Sequence, residues 1–427
     1  MASTSAAELA NEIVRDSLAY GTWPSRALDA LIERALDDED EFLARNATRA
    51  LFSIVIERFA DLFEPELCEV YARLFSHVIS RALPEYSAED LYLRYRRVRQ
   101  VRKFAGGEVS RVFVLSRITL GADVAVTSVA IAAAKERFPN AEICLVAPLK
   151  NAELYLNDPR VVPISITYGR SALLRDRLLA AAELHVAVDE FSSVVIDPDS
   201  RLTQLGLIPI CDDARYYFFE SRAYGFEGSD TLPRLTARWL SEVFDTPAAA
   251  PFVAPQPQPR IADVTVSWGV GDNSAKRIDD DFELEVLSAL LSQGRSVLLD
   301  RGAGGEEAQR IDLLAERLGH PPLLHIHDGS YAGFASHIAQ SKLYVGYDSA
   351  GQHVASAARV PLLSVFAGYA CERMFERWRP AGPHVYVINV DESNRSSVLV
   401  RTLAAIAEVS QEVWSAAEAR ESEAQMD

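Results

Sequence analysis

From Gly106 onward, short apolar runs of strand length alternate with segments of helical spacing, and the alternation occurs twice. In the first round VFVLS (112–116) leads through the loop RITLGAD into VAVTSVAIAAAKERF, which Pro139 stops. AEICLVAP (141–148), VVPISI, LHVAV (184–188) and SVVID (193–197) supply further strand candidates. The Pro- and Ala-rich stretch DTPAAAPFVAPQPQPR (245–260) has no periodicity and separates the two rounds. The alternation then restarts with DVTVSWG, SVLLD, LLHIH, LYVGYD, PLLSVF and HVYVIN, with helices expected near 281–293, 305–318 and 331–341, and from 351. Continuous apolar strands alternating with helices predict parallel sheets covered on both faces. Ligands of such sheets lie beyond the carboxyl ends of the strands. Two halves facing each other make a cleft with one wall for each of two substrates.

Residues 1–105 read differently. Apolar residues recur at three- and four-residue spacing, acids and arginines lie between them, and Pro24, Pro65 and Pro84 mark breaks. The expected organisation is a helical N-terminal domain (1–105), a Rossmann-like domain (106–250), a linker (251–260) and a second Rossmann-like domain ending in a C-terminal helix (261–427).

The net charge of −18 argues against a nucleic-acid binder, which needs Lys and Arg to neutralise phosphates. The cluster YLRYRRVRQVRKF, with Arg94, Arg96, Arg97, Arg99, Arg102 and Lys103, is the local exception. It reads as a solvated helix face, or else as a surface for an anionic acceptor or a membrane. No run reaches the roughly 20 apolar residues of a membrane span, and MASTSAAELANEIVRDSLAY lacks the apolar core of a signal peptide. The cysteines, Cys68, Cys144, Cys211 and Cys371, form no CxxC pair and fit free thiols in a reducing compartment. A cytoplasmic protein is expected, with peripheral contact at the inner face of a membrane as an extension of that reading.

Four loops carry candidate chemistry. In RITLGAD, Gly121 permits a tight turn and Asp123 begins a helix; its carboxylate suits either general-base work or capping of that helix. In YDSAGQH, the helix start at Asp348, Ser349, Ala350, Gly351, Gln352 and His353 offers free N–H groups to a diphosphate, or is a capped helix with His353 packed inward. In SWGVGDNSAKR, Gly269 and Gly271 permit a phosphate-hugging loop and Lys276 and Arg277 supply cations; a solvated basic turn is the plain alternative. The spacing is not that of the ATPase phosphate loop. In RGAGGEEAQR, Glu306 or Glu307 suits ribose hydroxyls or the helix dipole. His325 and His327 alternate on a strand without any HExxH pattern or Cys/His quartet, so no catalytic metal is expected.

At these residues the chain resembles glycosyltransferase family nine, the ADP-heptose:lipopolysaccharide heptosyltransferases, over about 106–395. RITLGADVAVTSVAIAAAKERFPNAEICLVAP is similar to the family's opening unit, DNSAKRID to its donor-phosphate segment, and VGYDSAGQHVASAARVPLLSVFAG to its Asp-Ser/Thr-Gly-x-x-His loop. Ala122 intervenes between Gly121 and Asp123, and Ala350 stands where the family has glycine. The resemblance implies a GT-B fold, two Rossmann-like domains facing a cleft, here preceded by an all-α segment. It implies Asp123 as general base and Lys276, Glu306, Asp348, Ser349, Gly351 and His353 around the donor; Gly269, Arg277, Ala350 and Gln352 of the same loops join them as donor-binding candidates. IDPDSRLTQLG (196–206) occupies the place of the family's acceptor-side loop, so the resemblance puts Arg201 and Gln204 beside the acceptor. The implied substrate is a nucleotide sugar, with ADP-heptose as the default; no cofactor or metal is implied. The implied acceptor is a lipopolysaccharide core, another glycan or a protein. The implied reaction is inverting transfer by single displacement. A non-catalytic binding or assembly protein on the same scaffold is the rival, and a sugar-nucleotide epimerase a third option.

Overall fold

The computed structural model describes residues 4–37, 39–169, 172–271 and 273–424. The first sheet comprises β1 (Arg111–Leu115), β2 (Glu142–Ala147), β3 (Val161–Ser165), β4 (Ser193–Asp197) and β5 (Tyr216–Phe218) in the order β3-β2-β1-β4-β5. The second comprises β6 (Val264–Ser267), β7 (Val297–Asp300), β8 (Leu324–His327), β9 (Leu343–Tyr347), β10 (Leu362–Phe366) and β11 (Val385–Asn389) in the order β11-β10-β9-β6-β7-β8. Every pairing is parallel; Val114 is in register with Leu145 and Ile196, and Val266 with Leu299 and Val345. Strand order reverses beside the first strand of each half, between β1 and β4 and between β6 and β9. Diverging loops leave a crevice at such points.

The segment LHVAV is not a strand. It ends the helix Leu174–Val188, in which Leu174, Leu178, Ala181, Leu184 and Val188 are buried at helical spacing. A strand would have placed Val186 on the same face as Leu184, yet Val186 is 85% exposed. Strand β5 and the helix Glu372–Trp378 have no counterpart in the periodicity reading.

The N-terminal helices are Ala6–Tyr20, Ser25–Ala35, Glu41–Arg49, Glu57–Asp61, Pro65–Ala82 and Ala88–Val98, with a π-helical stretch Ala50–Ile56 joining the third and fourth. Side chains of Ser5, Asp40 and Ser87 cap three of them. These helices do not form a bundle apart. Leu28, Leu31, Phe52, Val55, Leu74 and Phe75 share one core with Phe113, Leu115, Cys144, Val146, Val195 and Phe218 on one face of the first sheet. The other face of β1, Val112 and Val114, packs with Val129, Leu235 and Leu240. The helices from Ala6 to Val98 thus supply, with helix Leu174–Val188, the helical layer a doubly wound sheet needs on that side.

The same packing corrects the reading of the basic cluster as a solvated face. Arg94, 6% exposed, lies 2.7 Å from Asp213. Arg99 bridges Glu220 at 2.6 Å and Glu69 at 3.0 Å, and Arg102 donates to the carbonyl of Tyr216 at 2.8 Å. Arg96 and Lys103 alone of the six remain exposed without such a partner among the described residues, since Arg97 reaches Asp213 at 3.1 Å. The stretch around 251–260 is irregular but fastened. Ala254 donates to Leu154 O (2.8 Å), Phe252 to Ser128 Oγ (3.1 Å) and Gln258 to Ser336 Oγ (2.9 Å). Val124, Ala125 and Val129 of the first α/β domain form one core with Phe334, Ile338, Val354 and Ala355 of the second, so the two domains are joined by apolar packing.

Candidate active site

In the second domain the two loops at the switch point meet. Nζ of Lys276 lies 2.6 Å from Oδ2 of Asp348 and 3.2 Å from its main-chain oxygen. Asp348 follows β9 directly and is 4% exposed, and its second carboxylate oxygen accepts from Gln352. Lys276 ends the short 3-10 turn Ser274–Lys276, which Asn273 caps. The loop after β10 closes against this turn. Gly368 has φ 67°, and a β-carbon on it would stand 2.5 Å from the carbonyl carbon of Ala275, so only glycine fits. A retained cation beside the free N–H groups of the helix Ala350–Ala357 is an arrangement suited to a diphosphate.

The other residues expected around the donor divide. Ser349 precedes the helix without a side-chain cap bond, and Ala350 begins it. Gln352 is enclosed, accepting from Ser364 Oγ at 2.5 Å, and Gly351 packs over the hydroxyl of Tyr344. His353 is buried, with its ring 5.8 Å from that of Trp378; burial pushes its imidazole down to about 4, so it is neutral. The inward-packed alternative describes His353 and Gln352. Arg277 is a correction. Its guanidinium grips buried Glu283 at 2.7 Å and 3.1 Å, and Tyr347 donates to the same carboxylate, so Arg277 anchors the helix Asp280–Ser292 rather than facing the crevice. Glu306 and Glu307 at the next helix start differ in setting. Glu306 is exposed, whereas Glu307 turns back over the loop ends at Gly269 and Gly302, its Oε2 accepting from Ala303 N at 3.3 Å.

In the first domain Asp123 is 1% exposed and saturated. Its carboxylate accepts from Ser116 Oγ (2.6 Å), Arg117 N (2.6 Å), Thr127 Oγ1 (2.7 Å) and Asn151 Nδ2 (2.6 Å). Burial raises its pKa, and those four donors oppose the rise. The expectation that this carboxylate stands open at the cleft mouth is corrected: it holds the 116–127 loop together, and an N-cap role is also excluded because Asp123 lies within a helical turn. Gln204 is likewise structural, 2% exposed, with Tyr71 Oη donating to its carbonyl at 2.9 Å. Arg201 is different. It begins the 3-10 turn after β4, and its Nη1 is buried without a hydrogen-bond partner.

Sequence reasoning missed the helix Glu372–Trp378, which touches all three parts of the chain. Arg377 donates to Asp230 O and Gly225 O at 2.6 Å each, Arg117 stands 5.9 Å over the Trp378 ring, and Cys371 and Arg373 bind carbonyls of the N-terminal layer. The acid Asp61 carries no sequence signal either; burial pushes its carboxyl up to about 6, with Glu57 adding to the rise and Arg201, Lys276 and Arg58 opposing it. No local signal distinguishes Asp61 from the other acids of the helical segment.

No family model and no curated protein matches the sequence. Among solved structures, Escherichia coli ADP-heptose lipopolysaccharide heptosyltransferase II is similar at 16% identity over 72% of this chain and 99% of that one, with a TM-score of 0.52. A family 9 glycosyl transferase from Veillonella parvula gives 15% identity, 72% and 97% coverage and a TM-score of 0.54. An E. coli heptosyltransferase solved with ADP gives 16%, 71% and 99%, and 0.54. The fold is GT-B. At these identities the likeness concerns architecture alone. Within the GT-B frame the Lys276–Asp348 pair and Arg201 stand at the switch points of the two sheets. Among the described residues no group of three or more His, Cys, Asp or Glu side chains gathers at metal-binding spacing. No helix among them is long and apolar enough to cross a membrane.

Proposed function

We propose that the protein transfers a sugar from a nucleotide diphosphate sugar to an acceptor hydroxyl, with inversion at the anomeric carbon. ADP-heptose is the default donor, and a glycan, a lipopolysaccharide core or a protein is the acceptor. The observation that carries the reading is the Lys276–Asp348 pair at the crevice of the second sheet. The diphosphate gains charge as its bond to the sugar breaks, and a cation held in place by Asp348 lowers that barrier without having to reorganise. Glu307, beside Gly269, replaces Glu306 as the acid for ribose hydroxyls. The GT-B frame and the order of the sequence motifs support the same substrate class. The reading requires no metal.

The test is a thermal-shift panel of ADP, UDP and GDP with their sugars, because a ligand that binds only the folded state raises the melting temperature. One nucleotide should stand out, and Lys276→Ala should weaken it by about tenfold or more. A chain that binds none of them, or that binds ADP equally well without Lys276, ends the proposal.

A second reading is favoured by one observation. Gly121 abuts Ala350 and His353, closing the domains upon each other at the level of Asp123. A GT-B scaffold that binds nucleotide and partners without chemistry would show nucleotide binding with no release of ADP from any donor across acceptors.

A further inference from the structure

The loop after β10 is held from two sides, by the candidate nucleotide site and by the N-terminal helices. Toward the site, Gly368 lies against the turn that carries Lys276. A β-carbon on Gly368 would stand 2.6 Å from the Lys276 main-chain nitrogen, and Asn273 Nδ2 donates to the Gly368 carbonyl at 3.2 Å. Three residues on, the same loop meets the stretch leaving the helix Glu57–Asp61. Sγ of Cys371 donates to Asp61 O (3.6 Å) and Leu62 O (3.7 Å), Arg373 Nη1 donates to Phe63 O (3.0 Å), and Arg373 pairs with Glu64 at 3.1 Å. Phe63 is buried in one core with Met374. Its φ of 53° is a left-handed conformation rare for a bulky residue and kept only where the surroundings over-determine it.

Little slack separates these two sets of contacts. Only Tyr369 and Ala370 stand between Gly368 and Cys371. The Tyr369 ring packs on Phe366 at 5.9 Å and on Phe375 at 5.6 Å, and Ala370 N donates to Met374 Sδ at 3.3 Å. Cys371 Sγ also accepts from Met374 N at 3.4 Å, so the residue that grips Asp61 and Leu62 caps the helix Glu372–Trp378 as well. At the far end of that helix the Trp378 carbonyl accepts from Gln352 Nε2 at 3.4 Å, and Gln352 donates in turn to Asp348, the partner of Lys276. Residues 61–64 are thus joined to the Lys276–Asp348 pair by a continuous series of packed and hydrogen-bonded groups. Lys276 itself rides on a turn of three residues, Ser274–Lys276, which has little rigidity of its own.

We infer that the N-terminal helical layer positions Lys276 for the nucleotide diphosphate through the 368–373 loop, with Arg373 as the positioning residue. This rests on the reading of a nucleotide diphosphate at Lys276. A cation stabilises a diphosphate best where it is already held in place, and the loop that holds the Lys276 turn is itself held by residues 61–64. Docking of the helical layer and binding of the donor then favour each other. Coupling of this kind is reciprocal: a diphosphate seated at Lys276 tightens the hold on residues 61–64 by the same factor as that hold strengthens its binding. The helical layer serves the donor site as well as covering a sheet.

The test uses the full chain with ADP as the probe. Arg373→Ala removes the bonds to Phe63 O and Glu64 and leaves the groups at Lys276 in the chain; ADP should bind about fivefold more weakly. Arg373→Lys, which keeps a cation for Glu64, should recover part of that loss. With Lys276→Ala already in place, Arg373→Ala should change ADP affinity by less than about twofold, because its route to the ligand is gone; a general weakening of the fold would cost the same in both backgrounds. Hydrogen exchange on the unaltered protein reads the reciprocal effect without any substitution. Saturating ADP should slow exchange of the amides of residues 61–64 and 371–375 by about threefold or more. Amides of 61–64 unmoved by ADP, an Arg373→Ala chain that binds ADP as the unaltered protein does, or a loss as large without Lys276 as with it, overturns the inference and leaves the nucleotide reading intact. A chain that binds no ADP overturns both.

Discussion

Gly121 and His353 belong to different α/β domains and touch. A β-carbon on Gly121 would lie 3.1 Å from Cδ2 of His353 and 3.3 Å from Cα of Ala350. The domains are therefore closed together beside the turn that carries Asp123. Gly121→Val places a branched side chain into that contact. It should destabilise the chain by about 1–3 kcal/mol, read as a lowered urea midpoint. Unfolding unchanged from the parent would mean the domains part easily at this point.

Asp123→Ala removes one acceptor from four donors, three of them buried side chains. Leaving such groups unsatisfied costs about 1–3 kcal/mol each when fully buried, and relaxation recovers part, so a loss of about 3–5 kcal/mol is expected. A lowered melting temperature in the absence of any ligand distinguishes this structural role from a purely catalytic one, which would leave stability as it was.

Asp61 carries a pH signature in stability. Its folded-state pKa of about 6 lies above the usual 3.8, so between those values the folded chain binds more protons than the unfolded chain, and stability falls as pH rises. Above about 6 the full penalty applies, up to about 3 kcal/mol before solvent screening and about 1–3 after it. Asp61→Asn should therefore be the more stable protein at neutral pH and equal to the parent near pH 4. Denaturant titrations at both pH values measure this. His353, held neutral, acts with the opposite sign in both chains and cancels in the comparison.

A chain beginning at residue 106 would expose the face of the first sheet that carries Phe113, Leu115, Val146 and Phe218. Each such side chain contributes about 1.5–3 kcal/mol on burial, and Arg222, stacked 4.9 Å over Tyr71, loses its cover as well. The truncated chain should lack a cooperative unfolding transition and the near-UV signal of fixed aromatics. A sharp transition would show that the first sheet stands without the N-terminal helices.

Hydrophobic periodicity located all but one of the strands, because burial on both faces of a parallel sheet writes a local, continuous signal. It failed at LHVAV, where five residues are too few to separate the two periods and only the exposure of Val186 decides. The short β5 and the seven-residue helix Glu372–Trp378 leave too little pattern to read. Among adjacent pairs the motif could not choose: Lys276 meets Asp348 while Arg277 is taken by Glu283, and Glu307 turns to the loops while Glu306 faces solvent.

The amino-acid sequence alone determined two doubly wound halves, the linker between them and the Lys276 and Asp348 loops, since each follows from short-range patterning and strand-to-helix turns. Tertiary structure decided which candidate side chains are already taken. Asp123 is consumed by neighbours that folding gathers around it, and the main chain at Asp61 is fastened to Cys371, 310 residues away. Local patterning records that a face is buried; the identity of what covers it, and hence the chemistry left uncovered, depends on long-range packing.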